Sequence, residues 1–414
     1  MTGNLKNLFF KHREYIYIIL IAITFMAYVL SYALLSISTF LFVLFFFSDT
    51  RTSLKLKWYK IKSNKMVLLF VLYFVCQCIG LSYSENIDYG LKRVNTVLPT
   101  LFLPAIMYAE YLNKNVFYNV LRFLRFYVVL IFTIFLIIHV FIDGRTLHVF
   151  ALYVLTDKLG ISQFYMVFIF IIPLISTLNE LINKKNLIVS ILYLACLLFF
   201  VFLFSNKTSI LMLLLIFSIK IINHFKNRTR LFKMSVFLVI PMLLALLVYN
   251  TTGIKHKFDI MLKSTDFNIE IIKTKNKVTY TKNTLEHRLL INYLSIKEIV
   301  NNFPFGTGTG DYQDVLNKNY EEIHFKLGIK EKFNNHNQYI SEALKTGVLG
   351  GIVFITLLFC LFKSVGLRNQ FYYIILLLFT IGCFFESYLD RQHGVIIFSF
   401  MIPLFYVYEN QIKE

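Results

Sequence analysis

Three basic side chains are set where they could do chemistry in an otherwise apolar chain of 414 residues. His336 lies in "KFNNHNQYISEALKTGVLGG", residues 332–351, among asparagines and just before the chain turns apolar. Arg288 lies in "NTLEHRLLINYLSIKEIVNNFPFGTGTGDYQ", and Lys207 in "FLFSNKTSILML". A histidine side chain titrates near about pH 6.5, so its neutral form can take a proton. Arginine and lysine can hold an anion, arginine in a bidentate fork. Each residue also has an ordinary reading: an interfacial histidine, a solvated arginine, a lysine snorkelling from a short turn. What sets them apart is a common address at one face of the molecule, away from its basic clusters. No Ser–His–Asp order, P-loop or His-Glu-x-x-His pattern is present. His287, His324 and His336 are too scattered for a metal site, so neither metal nor cofactor is expected.

The flanking pattern says what must position these groups. Apolar residues at 285, 289, 290, 293, 294, 296, 299 and 300 fit a short amphipathic helix. It should end at Asn301–Asn302, before Pro304. Arg288 and Asn292, four apart, share a face of it. The run Gly306-Thr307-Gly308-Thr309-Gly310 has the wrong spacing for a dinucleotide site and follows no strand. It reads as a tight turn where backbone must pass something closely. A less ordered stretch is expected from there to His336. Tyr339 and Ala343 follow on the His336 face of the next helix, with Glu342 nearby, and Gly347, Gly350 and Gly351 would allow close helix approach.

Hydrophobic residues make up 57% of the chain and mean hydropathy is +0.65. The apolar runs are continuous, not alternating, so the chain reads as an all-α polytopic membrane protein. Twelve spans are expected near 15–33, 34–48, 66–83, 95–112, 118–142, 162–181, 187–204, 208–224, 233–250, 342–362, 370–386 and 395–410. Basic residues cluster in alternate connections, among them Arg51 to Lys65, Lys184–Lys185, Lys226 to Lys233, and Lys363 with Arg368. The +19 net charge is this orientation signal, not a nucleic-acid surface, and it puts both termini in the cytoplasm. The organisation expected is 1–250 with spans one to nine, a polar outer loop over 251–341 carrying short amphipathic helices, and 342–414 with spans ten to twelve. The lysine-rich part of that loop, 255–282, reads as a mobile basic cover. The first apolar run reads as an anchor, not a cleaved signal. All five cysteines fall inside spans and suggest packing, not disulfides. The spans are nearly free of central charges, which argues against a flippase or other transporter.

Together these features resemble the O-antigen ligase and polymerase superfamily of bacterial envelope glycosyltransferases. The resemblance is carried by the span number and late outer loop, by "SNKTSILMLLLIF", by the Arg288 helix running into Pro-x-Gly-x-Gly, and by "NNHNQYISEALKTGVLGG". It covers roughly 190–400 by motif. Lys207 departs from it, because the family usually has arginine there; lysine keeps the charge but loses bidentate recognition. The resemblance implies a GT-C-like helical fold in the bacterial inner membrane with its site facing the periplasm. It implies transfer of a glycan from undecaprenyl diphosphate to an acceptor sugar, the lipid A–core for a ligase or a second lipid-linked glycan for a polymerase, with the ligase preferred. His336 would act as base and Arg288, with Lys207, would hold the leaving diphosphate. Asn335, Asn337, Tyr339, Gly306 and Gly308 would contact substrate or acceptor. Direct displacement would invert the anomeric carbon, without a metal.

Overall fold

The computed structural model describes residues 2–204, 207–224, 229, 263–278, 284–364 and 370–410, and among these every regular element is helical. The first part of the chain forms α1 (Thr2–Leu30), α2 (Tyr32–Phe47), α3 (Arg51–Ser63), α4 (Lys65–Ser82), α5 (Ile87–Val97), α6 (Pro99–Ala109), α7 (Lys114–Ile137), α8 (Gln163–Ile182), α9 (Leu187–Leu203) and α10 (Lys207–His224). After the undescribed stretch come α11 (Ile269–Val278), α12 (Thr284–Asn301), α13 (Tyr312–Glu322), α14 (Lys326–Glu331), α15 (Gln338–Lys363), α16 (Gln370–Gly382), α17 (Gln392–Ile396) and α18 (Ile402–Asn410).

Five helical stretches are long and apolar enough to cross a bilayer alone: His12–Leu30, Lys65–Ser82, Lys114–Ile142, Gln163–Ile182 and Gln338–Lys363. Of the expected spans, that at 233–250 lies outside the described residues. The others fall on helical residues, but four are not single regular helices: that at 118–142 ends in a π-helical turn at Ile138–Ile142, and that at 342–362 is broken at Gly347. The span at 95–112 is the end of α5 followed by α6, because Pro99 has no N–H to continue a ladder and starts a new helix instead. The span at 395–410 is the end of α17, a π-helical turn at Ile397–Met401, and α18. α8 is buried almost all round, from Tyr165 to Leu178, and forms the centre of the bundle. Around the rim, Phe40, Ile188 and Phe359 leave 59%, 75% and 64% of their surface open, as side chains facing hydrocarbon do.

A second, smaller core lies beyond the bundle. Ile272, Leu290, Ile291, Leu294, Tyr312, Leu316, Tyr320, Phe325 and Leu344 pack together, so α11–α14 form a cap on the start of α15. This corrects the expectation of a less ordered stretch before His336: Tyr312, Leu316 and Tyr320 recur every four residues and bury one face of α13. Part of the lysine-rich segment is also helical, as α11, where Ile272 is buried and Lys275 pairs with Asp266 and Glu286. Residues 255–262 and 279–282 of that segment lie outside the described residues. The amphipathic helix expected before Pro304 is α12, and it ends at Asn301.

The glycine run explains how cap and bundle join. α15 is broken at Gly347, where φ is 66° and ψ is −166°. A break strands carbonyls and amides that must be paired elsewhere. Thr307 and Gly308 donate their N–H groups to Leu344 O and Lys345 O at 2.7 and 3.1 Å, and Val348 N–H donates to Pro304 O at 3.0 Å. The run also reaches α4, with Thr309 N–H donating to Gly80 O at 3.1 Å and the Thr309 hydroxyl to Gln77 O at 2.9 Å. A Cβ on Gly347 would stand 2.0 Å from Pro304 O, and one on Gly306 2.5 Å from Leu344 O. Glycine is required at both places by approach as well as by positive φ.

Candidate functional site

The approach to α15 is a turn built by asparagines. The Asn337 side chain caps the helix, accepting from Tyr339 N–H and Ile340 N–H at 3.0 and 3.2 Å. The Asn334 side chain accepts from His336 N–H at 3.2 Å and donates to Asp390 at 3.2 Å. Asn335 is buried and donates to the Ser295 hydroxyl at 2.5 Å, which ties the turn to α12. Held on both sides, His336 adopts φ 48°, in the left-handed region where a non-glycine residue is strained.

The imidazole is 27% exposed, and its Nδ1 stands 3.4 Å from Glu386 Oε2. Glu386 follows α16, is buried, and receives the Tyr165 hydroxyl at 3.4 Å. A carboxylate beside Nδ1 favours the tautomer that carries its proton there, leaving the Nε2 lone pair free. Among the described residues Nε2 has no hydrogen-bond partner. Arg288, on α12, lies within range of the same carboxylate's charge without pairing with it. Burial lowers the pKa of its guanidinium, and the Glu386 charge works against that shift. Among the described residues Arg288 makes no ion pair or hydrogen bond of its own, so its donors are available to a ligand anion.

Arg288, Asn292 and Ser295 are spaced i, i+4, i+7 on α12, and Ser295 is the residue that meets the His336 turn. Two buried carbonyl oxygens here, Asn292 Oδ1 and Asn335 Oδ1, accept no hydrogen bond among the described residues. Such acceptors match hydroxyl donors, which a sugar has in number.

Four residues behind Glu386, Asp390 has a different setting. It is buried against the Lys345 ammonium, and it also accepts from Asn334 and from the Tyr312 hydroxyl, the latter at 3.4 Å. Arg93 of α5 donates to the Asp390 carbonyl at 2.8 Å. Burial raises the pKa of this carboxyl, but Lys345 and Arg93 outweigh it and hold it below the ordinary range.

Of the residues expected in a site, His336 stands against Glu386, and Arg288 feels that carboxylate's charge. Asn335 joins them through Ser295. Asn337 is a helix cap, and Gly306 and Gly308 serve the join to α15 and α4. The Tyr339 hydroxyl donates to Thr380 O at 2.8 Å and its ring packs on Phe384, 4.6 Å between centroids, so it braces α16. Lys207 opens α10, and its side chain lies outside the described residues. Sequence reasoning missed Glu386, Asp390, Lys345 and Arg93 as partners, and gave His336 no carboxylate. The signal was present in "FFESYLDRQHG", with two acids four apart between apolar runs, and in a lone lysine within an apolar helix.

No curated protein matches the chain. A family model described as O-antigen ligase matches residues 192–355, a segment that contains Arg288, the glycine run and His336. Over that segment the chain is similar to the O-antigen ligase family.

Proposed function

We propose that the protein transfers a glycan from an undecaprenyl-diphosphate carrier to the hydroxyl of an acceptor sugar, with the ligase acceptor, lipid A–core, as the leading reading. The observation that carries it is the His336 imidazole set 3.4 Å from the buried Glu386 carboxylate, with the turn that holds it tied through Asn335 and Ser295 to the helix that bears Arg288. Glu386 orients the ring so that Nε2 takes the proton from the acceptor hydroxyl. The hydroxyl oxygen forms its bond to the anomeric carbon while the bond from that carbon to the diphosphate oxygen breaks. Charge then grows on the lipid diphosphate, and Arg288 meets it with a guanidinium that has no ion partner of its own among the described residues. Lys207 adds a second positive charge. Displacement from the face opposite the leaving group inverts the anomeric configuration, and the two cations take the place of a divalent ion. The site faces the periplasm of a bacterial inner membrane, where both lipid-linked substrates can present sugars.

Deleting the gene and examining surface glycan tests this. Polymer that accumulates on its lipid carrier with none attached to the core is the ligase result. Single attached repeats with no ladder would make the protein a polymerase, and unchanged glycan would refute both. With purified protein, donor and acceptor, transfer should persist in EDTA; its loss and recovery on adding magnesium would overturn the metal-free mechanism.

A further inference from the structure

At the end of the bundle away from His336, α3 does something the transfer reaction does not use. The chain bends by 115° between α2 and α3, so α3 lies across the bundle end instead of prolonging the span. Thr50 caps it, accepting from Ser53 N–H at 3.2 Å. Its 13 residues carry Arg51, Lys55, Lys57, Lys60 and Lys62 and no acid.

Only one of these cations turns inward. Lys57 is buried and donates to Asp49 and Glu110, each at 2.6 Å, and Arg13 joins the same two carboxylates at 3.4 and 2.9 Å. Ile61 is buried beside it. This ion-pair cluster ties α3 to α1 and α6 and fixes its rotation about its own axis. The outward face is then determined. Arg51, Lys55, Trp58 and Lys62 are spaced i, i+4, i+7, i+11 and all are exposed, so they form one stripe. At 1.5 Å per residue it is about 16 Å long. Lys62 Nζ stands 5.6 Å from the centre of the Trp58 ring. Among the described residues none of the three cations is ion-paired. Beside the stripe Tyr59 and Leu56 are 74% and 67% exposed. Charge-based orientation accounts for cations in this connection, but not for an aromatic set in line with them. A helix lying in the bilayer surface needs both, because the ring seeks the headgroup level and the cations seek phosphate.

We propose that α3 is an in-plane helix that binds anionic phospholipid headgroups along Arg51, Lys55 and Lys62, with Trp58 set among the upper acyl chains. Trp58 is the only tryptophan in the chain, so its fluorescence reports on this helix alone. The full-length protein is placed in nanodiscs of phosphatidylcholine and phosphatidylglycerol, with one lipid or the other brominated near the top of its acyl chains. At equal mole fraction, brominated phosphatidylglycerol should quench Trp58 several-fold more than brominated phosphatidylcholine. High salt should shrink that preference. The variant R51Q/K55Q/K62Q should lose it while still being quenched by both lipids. Equal quenching of the wild-type protein by the two lipids would overturn the proposal. So would a Trp58 that neither lipid quenches and aqueous acrylamide does, which would point to a soluble acidic partner. The wild-type comparison decides the matter even if the triple variant fails to insert.

Discussion

Glu386 and Asp390 are both buried carboxylates, four residues apart in one short connection, and their surroundings differ sharply. Asp390 is surrounded: Lys345, Arg93, Asn334 and Tyr312 hold it from three helices and a turn. Among the described residues Glu386 is bonded by a tyrosine hydroxyl and an imidazole, each at 3.4 Å, with Arg288 and Arg391 acting on it through space. A satisfied charge network inside a protein is a fastener, since removing one partner strands the other. A carboxylate with loose partners, one of which opens to solvent, is arranged for protons and ligands. Under the proposed function, the Asp390 side of the connection serves the fold and the Glu386 side serves the reaction.

The largest effect should come from His336. Removing a general base costs about 10²–10⁴-fold in rate. Because φ is 48° there, His336→Gly tests the ring without straining the turn. Transfer should fall by that range while melting in detergent is unchanged or slightly raised; wild-type transfer would return the histidine to an interfacial role. Arg288→Ala comes next. Loss of one donor to developing charge costs about 10²–10³-fold, and Arg288→Lys should recover only part, because lysine cannot grip bidentately. Equal rates for the lysine variant and wild type would show that charge alone suffices.

Asp390→Asn should instead act on stability, by roughly 3–5 kcal/mol, as for one partner removed from a buried pair. The sign of its pH dependence follows from a folded-state pKa held below the unfolded one. The carboxylate's contribution is fully present above about pH 5 and is lost as pH falls through the lower folded value. The melting difference between wild type and variant should therefore be constant above about pH 5 and close in stronger acid. A gap that widens on acidification would contradict the assignment. The smallest effect is expected for Lys207→Arg, which restores the residue usual in the superfamily; transfer should be retained, and a large loss would remove Lys207 from the proposed site.

How much of this could be read from residues follows from the kind of signal each part leaves. Helical spans, the amphipathic helix before Pro304 and the tight glycine run leave periodic or steric marks in sequence. Pro99 marked the break between α5 and α6, but hydropathy ran through it and suggested one span. The helix α13 was missed because Tyr312, Leu316 and Tyr320 stand among polar residues and bury against a cap that only tertiary packing creates. His336 and Arg288 were legible as charges out of place. Glu386 was not, because its meaning lies in a contact across 50 residues. The substrate-contact roles expected of Tyr339, Asn337, Gly306 and Gly308 came with the resemblance. Their backbone and packing partners now explain why those residue types stand there.

In the proposed site Glu386 serves the imidazole and not the fold. Transfer rate and melting temperature of Glu386→Gln, measured on one preparation beside Asp390→Asn, test this directly. The glutamine keeps the shape and can still accept at one oxygen, so melting should match wild type. Transfer should fall roughly 10–100-fold, as when an outer carboxylate that orients a working histidine is removed. Wild-type transfer, or a melting loss as large as that of Asp390→Asn with activity falling only in proportion to folded protein, would contradict it.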